Sequence, residues 1–271
     1  MGELPARGPA VRKLGLPLPP QRMPIRQGTR LIKRWRYVGV YGPELMLCVG
    51  EARVGPLPQR WWAVALPDGA LRERTTLGRG GVTLERGRAE VAASGLRLSL
   101  TLDEGEGVET VSPSGRSWIW TRKQGGIRAR GRVEIDGRRF DVDAQAVVDE
   151  SAGYHERRTS WRWSAGVGHA VNGQRVAWNL VDGVHDSPEA SERSVWVDGV
   201  PREVEPVRFA PDLSAVGDLR FSEWSAREHH TNLLLFRSDY RQPFGTFSGQ
   251  VPEGPRLSEG YGVVETHDVL W

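Results

Sequence analysis

One cysteine in 271 residues leaves no partner for an intrachain disulfide. Cys48 lies in the apolar run Leu45-Met46-Leu47-Cys48-Val49, where a thiol acts as a small buried filler rather than a nucleophile. Lysine is almost as scarce. Only Lys13, Lys33 and Lys123 are present, and the other basic residues are arginines. The skew reads as codon bias. The net charge is +3, and acidic residues are interspersed with the arginines instead of leaving one basic face. That pattern excludes nucleic acid as the expected partner. No apolar run approaches the ~20 residues of a membrane helix, so no stable membrane insertion is expected. The N-terminal residues lack a continuous apolar stretch and are broken by Pro5, so they do not read as a signal peptide, and the expected location is the cytoplasm. Phosphate-loop, dinucleotide and nucleophile-elbow patterns are missing, so no cofactor is expected. His155, His185, His229, His230 and His267 show no diagnostic metal-ligand spacing, and no metal is assigned.

What is present is β-forming. Hydrophobic residues make up 38% of the chain and charged residues 26%, enough for a real core in one large or two modest domains. Six prolines within residues 1–29 preclude a regular helix there and predict an extended arm across the body of the protein. From Arg34 onward, short apolar runs alternate with turn signals. Asp136-Gly137, Asn172-Gly173 and Asp198-Gly199 supply the positive φ angles of tight hairpins. In Leu96–Leu102 four leucines fall on one face, the mark of a half-buried strand. The best helix candidate is Ser187–Arg193, with Ser187 as cap and Pro188 in the first turn. The fold class is therefore all-β and antiparallel with very little helix. The residues leave open one large barrel, a sandwich or two smaller barrels.

Eleven tryptophans are many for this length. They either fill the core or line an apolar ligand pocket inside a barrel. Trp118 and Trp120 share one strand face, as do Trp161 and Trp163. The densest stretch is Tyr154–Asp186. Within it His155 and Glu156 point to opposite faces if the strand is regular, so one of the two is the better candidate for a site. Asn179 interrupts the apolar run Val176–Val181 and needs buried partners, as an internal clamp or to orient a ligand next to Trp178. Asp182, His185 and Asp186 follow at the strand end. Near the C-terminus Glu265 and His267 share a face, and a carboxylate beside an imidazole suits proton transfer.

Gly153–Trp163, Trp178–Gly183, Ser191–Gly199, Gln242–Gly249 and Glu265–Trp271 together resemble a bacterial domain-of-unknown-function family numbered 2804. The resemblance runs from about Arg30 to Trp271. That family is distantly similar to the carotenoid 1,2-hydratase and AttH-like group. The resemblance implies two tandem lipocalin-like barrels or half-barrels, over residues 30–149 and 150–271, and a hydrophobic small molecule as ligand. The hydratase group has an acidic residue and a His near an aromatic ring. His155-Glu156 with Trp161 and Trp163 is the nearest counterpart here, in a different spacing and order. The candidate catalytic residues are His155, Glu156, Asp182, His185, Glu265 and His267. The candidate ligand contacts are Trp118, Trp120, Tyr154, Trp161, Trp163, Trp178 and Asn179. Two expectations follow: acid–base chemistry on an alkene-like substrate by a hydratase, isomerase or cyclase, or non-catalytic carriage of a lipid or fatty acid. A third is a structural role with barrels filled by side chains.

Overall fold

The computed structural model describes residues 3–78, 80–233 and 236–271. Strand pairing is antiparallel throughout, in two large sheets. The eleven-stranded sheet runs in the spatial order Leu71–Leu77, Leu57–Ala65, Met46–Val54, Lys33–Tyr41, Arg138–Gly153, Ser117–Ile135, Leu96–Leu102, Arg88–Ala93 and Val82–Glu85. Val108–Ser114 and Ala6–Arg7 pair off this path. The eight-stranded sheet runs Val200–Glu203, Ser194–Val197, Arg175–Asp182, Arg158–Ala170, Leu257–Leu270, Phe236–Gly249, Leu219–Leu233 and Ala215–Val216. The chain passes from one sheet to the other between Gly153 and Arg158.

Each sheet curls on itself into a half-barrel. Val82 and Leu84 on the last strand of the larger sheet join Leu47, Val49 and Trp62 in one core. A register shift at Gly125/Ile127, where Gly126 takes a φ of 72°, breaks the long Ser117–Ile135 ladder. Such a bulge bends its strand and raises the local twist. Leu96, Leu98, Leu100 and Leu102 all point into this core, as their alternation predicts. Each contributes roughly 2 kcal/mol relative to an exposed leucine. In the smaller sheet Trp178, Leu180, Phe247 and Val264 fill the corresponding hollow. Side chains thus occupy the inside of both curls.

The outer faces are buried too. Tyr37, Tyr41, Met46, Cys48 and Ala63 from one sheet pack against Trp163, Ala165, Ala177, Phe244 and Val263 from the other. The central strands are therefore covered on both sides, which explains why they read as continuous apolar runs rather than alternating ones. Cys48 lies in this layer, fully buried, and burial pushes its thiol up to about 11.

The Asp136-Gly137 and Asp198-Gly199 turns have positive φ at both residues, the geometry of a tight hairpin. At Asn172-Gly173 only the glycine does, in a longer loop closed by Gly173 N–H to Ala170 O. The proline-rich N-terminal segment packs on the edge of the larger sheet. It adds Ala6–Arg7 to the edge at Thr110–Val111, forms a short 3-10 helix over Gly8–Lys13, and buries Val11, Leu18 and Met23. The expected helix at Ser187–Arg193 is not formed. Ala190 has a φ of 56°, and the Arg193 guanidinium takes the carbonyls of Ser187, Pro188 and Val204. A side chain thereby claims acceptors that a helix would have used. Among the described residues no helix is long and apolar enough to cross a membrane.

Candidate functional site

Between the facing sheets the outer-face packing opens into a cavity of about 260 Å³. Register explains its composition. In the Arg158–Ala170/Leu257–Leu270 ladder Trp161 lies opposite His267 and Trp163 opposite Glu265. On the other side of the C-terminal strand, Tyr240 also faces His267. Directly opposed residues on one face of a sheet touch, so a two-residue spacing repeated on neighbouring strands becomes a cluster. Trp161 stands edge-on to His267 at 4.5 Å, and Tyr240 at 5.1 Å. Trp35 of the opposite sheet lies nearly parallel to Trp161 at 6.4 Å.

Glu265 sits among these rings, opposite Trp163 on the neighbouring strand. Trp161 Nε1 donates to its Oε1 at 2.8 Å, and Gln242 Nε2 to its Oε2 at 2.7 Å. Burial raises its pKa to about 6, although Trp161 and Tyr240 hydrogen-bond to the charged form and work against the shift. His267 faces the same space. Burial lowers it to about 4, and its Nε2 meets Ser238 Oγ at 2.8 Å. Arg227 closes this end, donating to Glu73 Oε2 at 2.7 Å across the sheet-to-sheet gap.

The other end is built around two imidazoles. His155 lies just before the Arg158–Ala170 strand, 4.9 Å from Trp35 and 6.3 Å from His185. Burial lowers His155 well below the usual imidazole range, and lowers His185 to about 3. Lys33 Nζ reaches His155 O at 3.3 Å and lies 4.7 Å over the Trp271 ring. Its burial lowers it to about 8. Lys123 Nζ bridges Asp149 at 2.5 Å and Glu192 at 3.2 Å.

Of the candidates from sequence, His155, His185, Glu265, His267, Trp161 and Trp163 line this cavity together. The others lie elsewhere. Glu156 is exposed in the irregular link between the two sheets and pairs with Arg30 outside the cavity. Asp182 is half-exposed beside Arg162. Trp118, Trp120 and Tyr154 share a face, but the N-terminal arm covers it. Trp178 belongs to the core inside the smaller sheet. Asn179 is a clamp behind the wall, accepting from Trp163 Nε1 at 2.8 Å and donating to Glu192 O at 3.1 Å.

Trp35, Tyr37, Trp61, Lys33, Lys123, Asp149, Arg227 and Tyr240 were not among those candidates, yet they line the cavity. One signal was available. Two of the three lysines in an arginine-rich chain are here. Trp61 also depends on its neighbour Gly50, since its ring occupies the place of a Cβ on that residue. Gly50→Ala is therefore expected to push Trp61 into the cavity and weaken binding of an apolar probe several-fold, while Gly→Ala at the exposed turn residue Gly137 does not. Titration with a fluorescent apolar dye checks this.

The imidazoles also predict an acid limb in stability. The folded pKa of His185 is about 3 and its ordinary value 6.5. Between these values the unfolded chain binds more protons, so stability is lost as pH falls through that window. Glu265 works in the opposite direction: its folded pKa is raised, and its contribution is lost as pH rises from 4.5 through about 6. The acid loss from His185 is expected to be on the order of 5 kcal/mol in all. In His185→Asn the slope of urea-unfolding free energy against pH between 6 and 4 should be shallower by about 1.4 kcal/mol per unit. An unchanged slope would contradict a buried, neutral His185.

The fold is shared with solved structures at low identity. An AttH-like protein from Nitrosomonas europaea matches at 13% identity with a TM-score of 0.51, over 93% of this chain and 99% of that one. Kievitone hydratase from Nectria haematococca matches at 12% identity with a TM-score of 0.55, over 86% and 88%. Both are lipocalin-like, as is this architecture. No curated protein matches the chain. The model of the domain of unknown function DUF2804 matches residues 81–271, and the chain belongs to that family.

Proposed function

We propose that the protein binds an apolar, unsaturated small molecule between its two sheets and adds a proton to it, with Glu265 as the general acid. The observation that carries this reading is a carboxyl with pKa raised to about 6, set among tryptophan rings in an internal cavity. At neutral pH such a group retains a minor protonated fraction and regains its proton readily, which suits general acid work. Proton transfer to one alkene carbon uses the π electrons for the new C–H bond and leaves positive charge on the neighbouring carbon. The faces of Trp35 and Trp161 stabilise that charge. In a hydration, water adds its oxygen there, and the proton it sheds passes to the Glu265 carboxylate or to neutral His267. In an isomerisation, the adjacent carbon loses the proton instead. The fold shared with kievitone hydratase supports the first outcome.

The test is incubation of the purified protein with hydrophobic alkenes and polyenes in deuterium oxide enriched in heavy oxygen. Hydration yields a product carrying one heavy oxygen, read by mass spectrometry. Exchange of solvent deuterium without added oxygen indicates isomerisation. Binding with neither change would overturn the acid role and leave a carrier of apolar molecules.

A further inference from the structure

The His155 end of the cavity has groups that the proton-transfer reading does not use. Both ring nitrogens of His155 and both of His185 are buried without a hydrogen-bond partner among the described residues, and so is Glu192 Oε2. The Gly153 carbonyl lies near the His155 ring without meeting it in hydrogen-bonding geometry. His155 is 1% exposed, His185 8% and Glu192 2%. Buried polar atoms left unpaired are costly, and each such group calls for an explanation. All three side chains line the cavity. The local backbone is also held in place for them. His185 has a φ of 58°, and its carbonyl accepts from Ser191 Oγ at 2.6 Å.

The unpaired set defines the chemistry of what fits. A neutral imidazole offers one N–H donor and one acceptor nitrogen, and Glu192 Oε2 offers an acceptor. Charge at this end is already matched. Lys123 lies between the carboxylates of Asp149 and Glu192, and Lys33, which donates to His155 O and has no ion-pair partner among the described residues, supplies the second positive charge of a set that sums to zero. A further carboxylate or phosphate would bring an unmatched charge into a buried wall. A group that donates and accepts while staying neutral satisfies both kinds of orphan. We infer that the His155–His185–Glu192 end of the cavity is a binding subsite for an uncharged hydroxyl of the ligand, phenolic or alcoholic. Trp35 stands between this subsite and Trp161. The ligand is then an apolar molecule carrying a hydroxyl at one end and its reactive unsaturation at the other. This rests on the cavity between the sheets being the ligand site, but not on Glu265 acting as an acid.

The experiment uses the full chain and four matched probes: naphthalene, β-naphthol, its methyl ether and β-naphthoate. Affinities are read by calorimetry and by tryptophan fluorescence. β-Naphthol is expected to bind about tenfold more tightly than naphthalene or the ether, the effect of one well-made hydrogen bond. In a double variant, His155→Phe with His185→Leu, the preference falls to near unity and naphthalene still binds. In the unmodified chain with nitrogen-labelled histidine, β-naphthol shifts the ring-nitrogen resonances of His155 or His185, and the ether does not. That measurement decides the matter if the double variant does not fold. Equal binding of β-naphthol and its ether would overturn the subsite, as would a preference surviving in the double variant. Tightest binding of β-naphthoate would overturn it in favour of an anion held by Lys33. Failure of all four probes, naphthalene included, would instead overturn the cavity as the ligand site.

Discussion

Glu265→Gln is expected to abolish turnover, lowering kcat by about 10²–10⁴-fold, the usual range for a lost general acid. The substitution keeps the shape of the side chain. Its carbonyl oxygen can still accept from Trp161 Nε1, and the Gln242 amide can turn over to accept from the new amide group. Affinity for an apolar ligand should change little, so the loss falls on kcat rather than KM. The pH profile separates an acid from a merely structural residue. In the unmodified protein activity requires the protonated carboxyl, so it should fall as pH rises through about 6. Trp161 donates to the charged form and holds the pKa down. Trp161→Phe should therefore move this limb to higher pH. A profile that stays in place, or a Glu265→Gln variant with full turnover, would remove Glu265 from the chemistry.

Lys123→Met is expected to destabilise the fold by about 3–5 kcal/mol, the range for breaking a buried ion pair from one side. Lys123 is 4% exposed and lies between Asp149 and Glu192. Removing it leaves two carboxylates close together in the cavity wall with no cation between them. Burial already raises the Asp149 carboxyl, with Lys123 as its main opposing influence. The deficit should shrink as pH falls, because the stranded carboxyls then take up protons. Asp149→Asn and Glu192→Gln in the same chain should recover much of the loss at neutral pH. Urea unfolding over a range of pH provides the measurement. A constant deficit across pH, or no deficit, would mean that the cluster is not electrostatically coupled.

How far the site was legible depends on where each residue's partner lies. Glu265 with His267, and Trp161 with Trp163, share faces by period-two spacing alone, and those faces do meet the cavity. His155 and Glu156 do divide, one inward and one to Arg30, but they lie in the irregular link between strands, so the regular-strand premise did not decide it. The same spacing rule put Trp118 and Trp120 on one face correctly, but it carried no information about what covers that face. The arm does, through Val11, Leu14 and Leu18. Asp149 and Lys123 were harder still. Each is a charge within an otherwise β-forming strand, and only their pairing across the Ser117–Ile135/Arg138–Gly153 ladder makes them one unit.

By itself the sequence determined the all-β class, the hairpin turns at Asp136-Gly137 and Asp198-Gly199, and the faces of individual strands. These follow from local backbone preference and the two-residue period, which need no distant partner. The tertiary structure decided that both curls are filled and that the cavity lies between the sheets. It also decided that Ser187–Arg193 is a loop held by Arg193. Those outcomes depend on which face of one sheet meets which face of another, and on long-range contacts such as Trp35 with Trp161 and Lys123 with Glu192. A strand buried on both faces gives the same apolar run whether it faces a packed core or a ligand, so only its neighbours could distinguish the two.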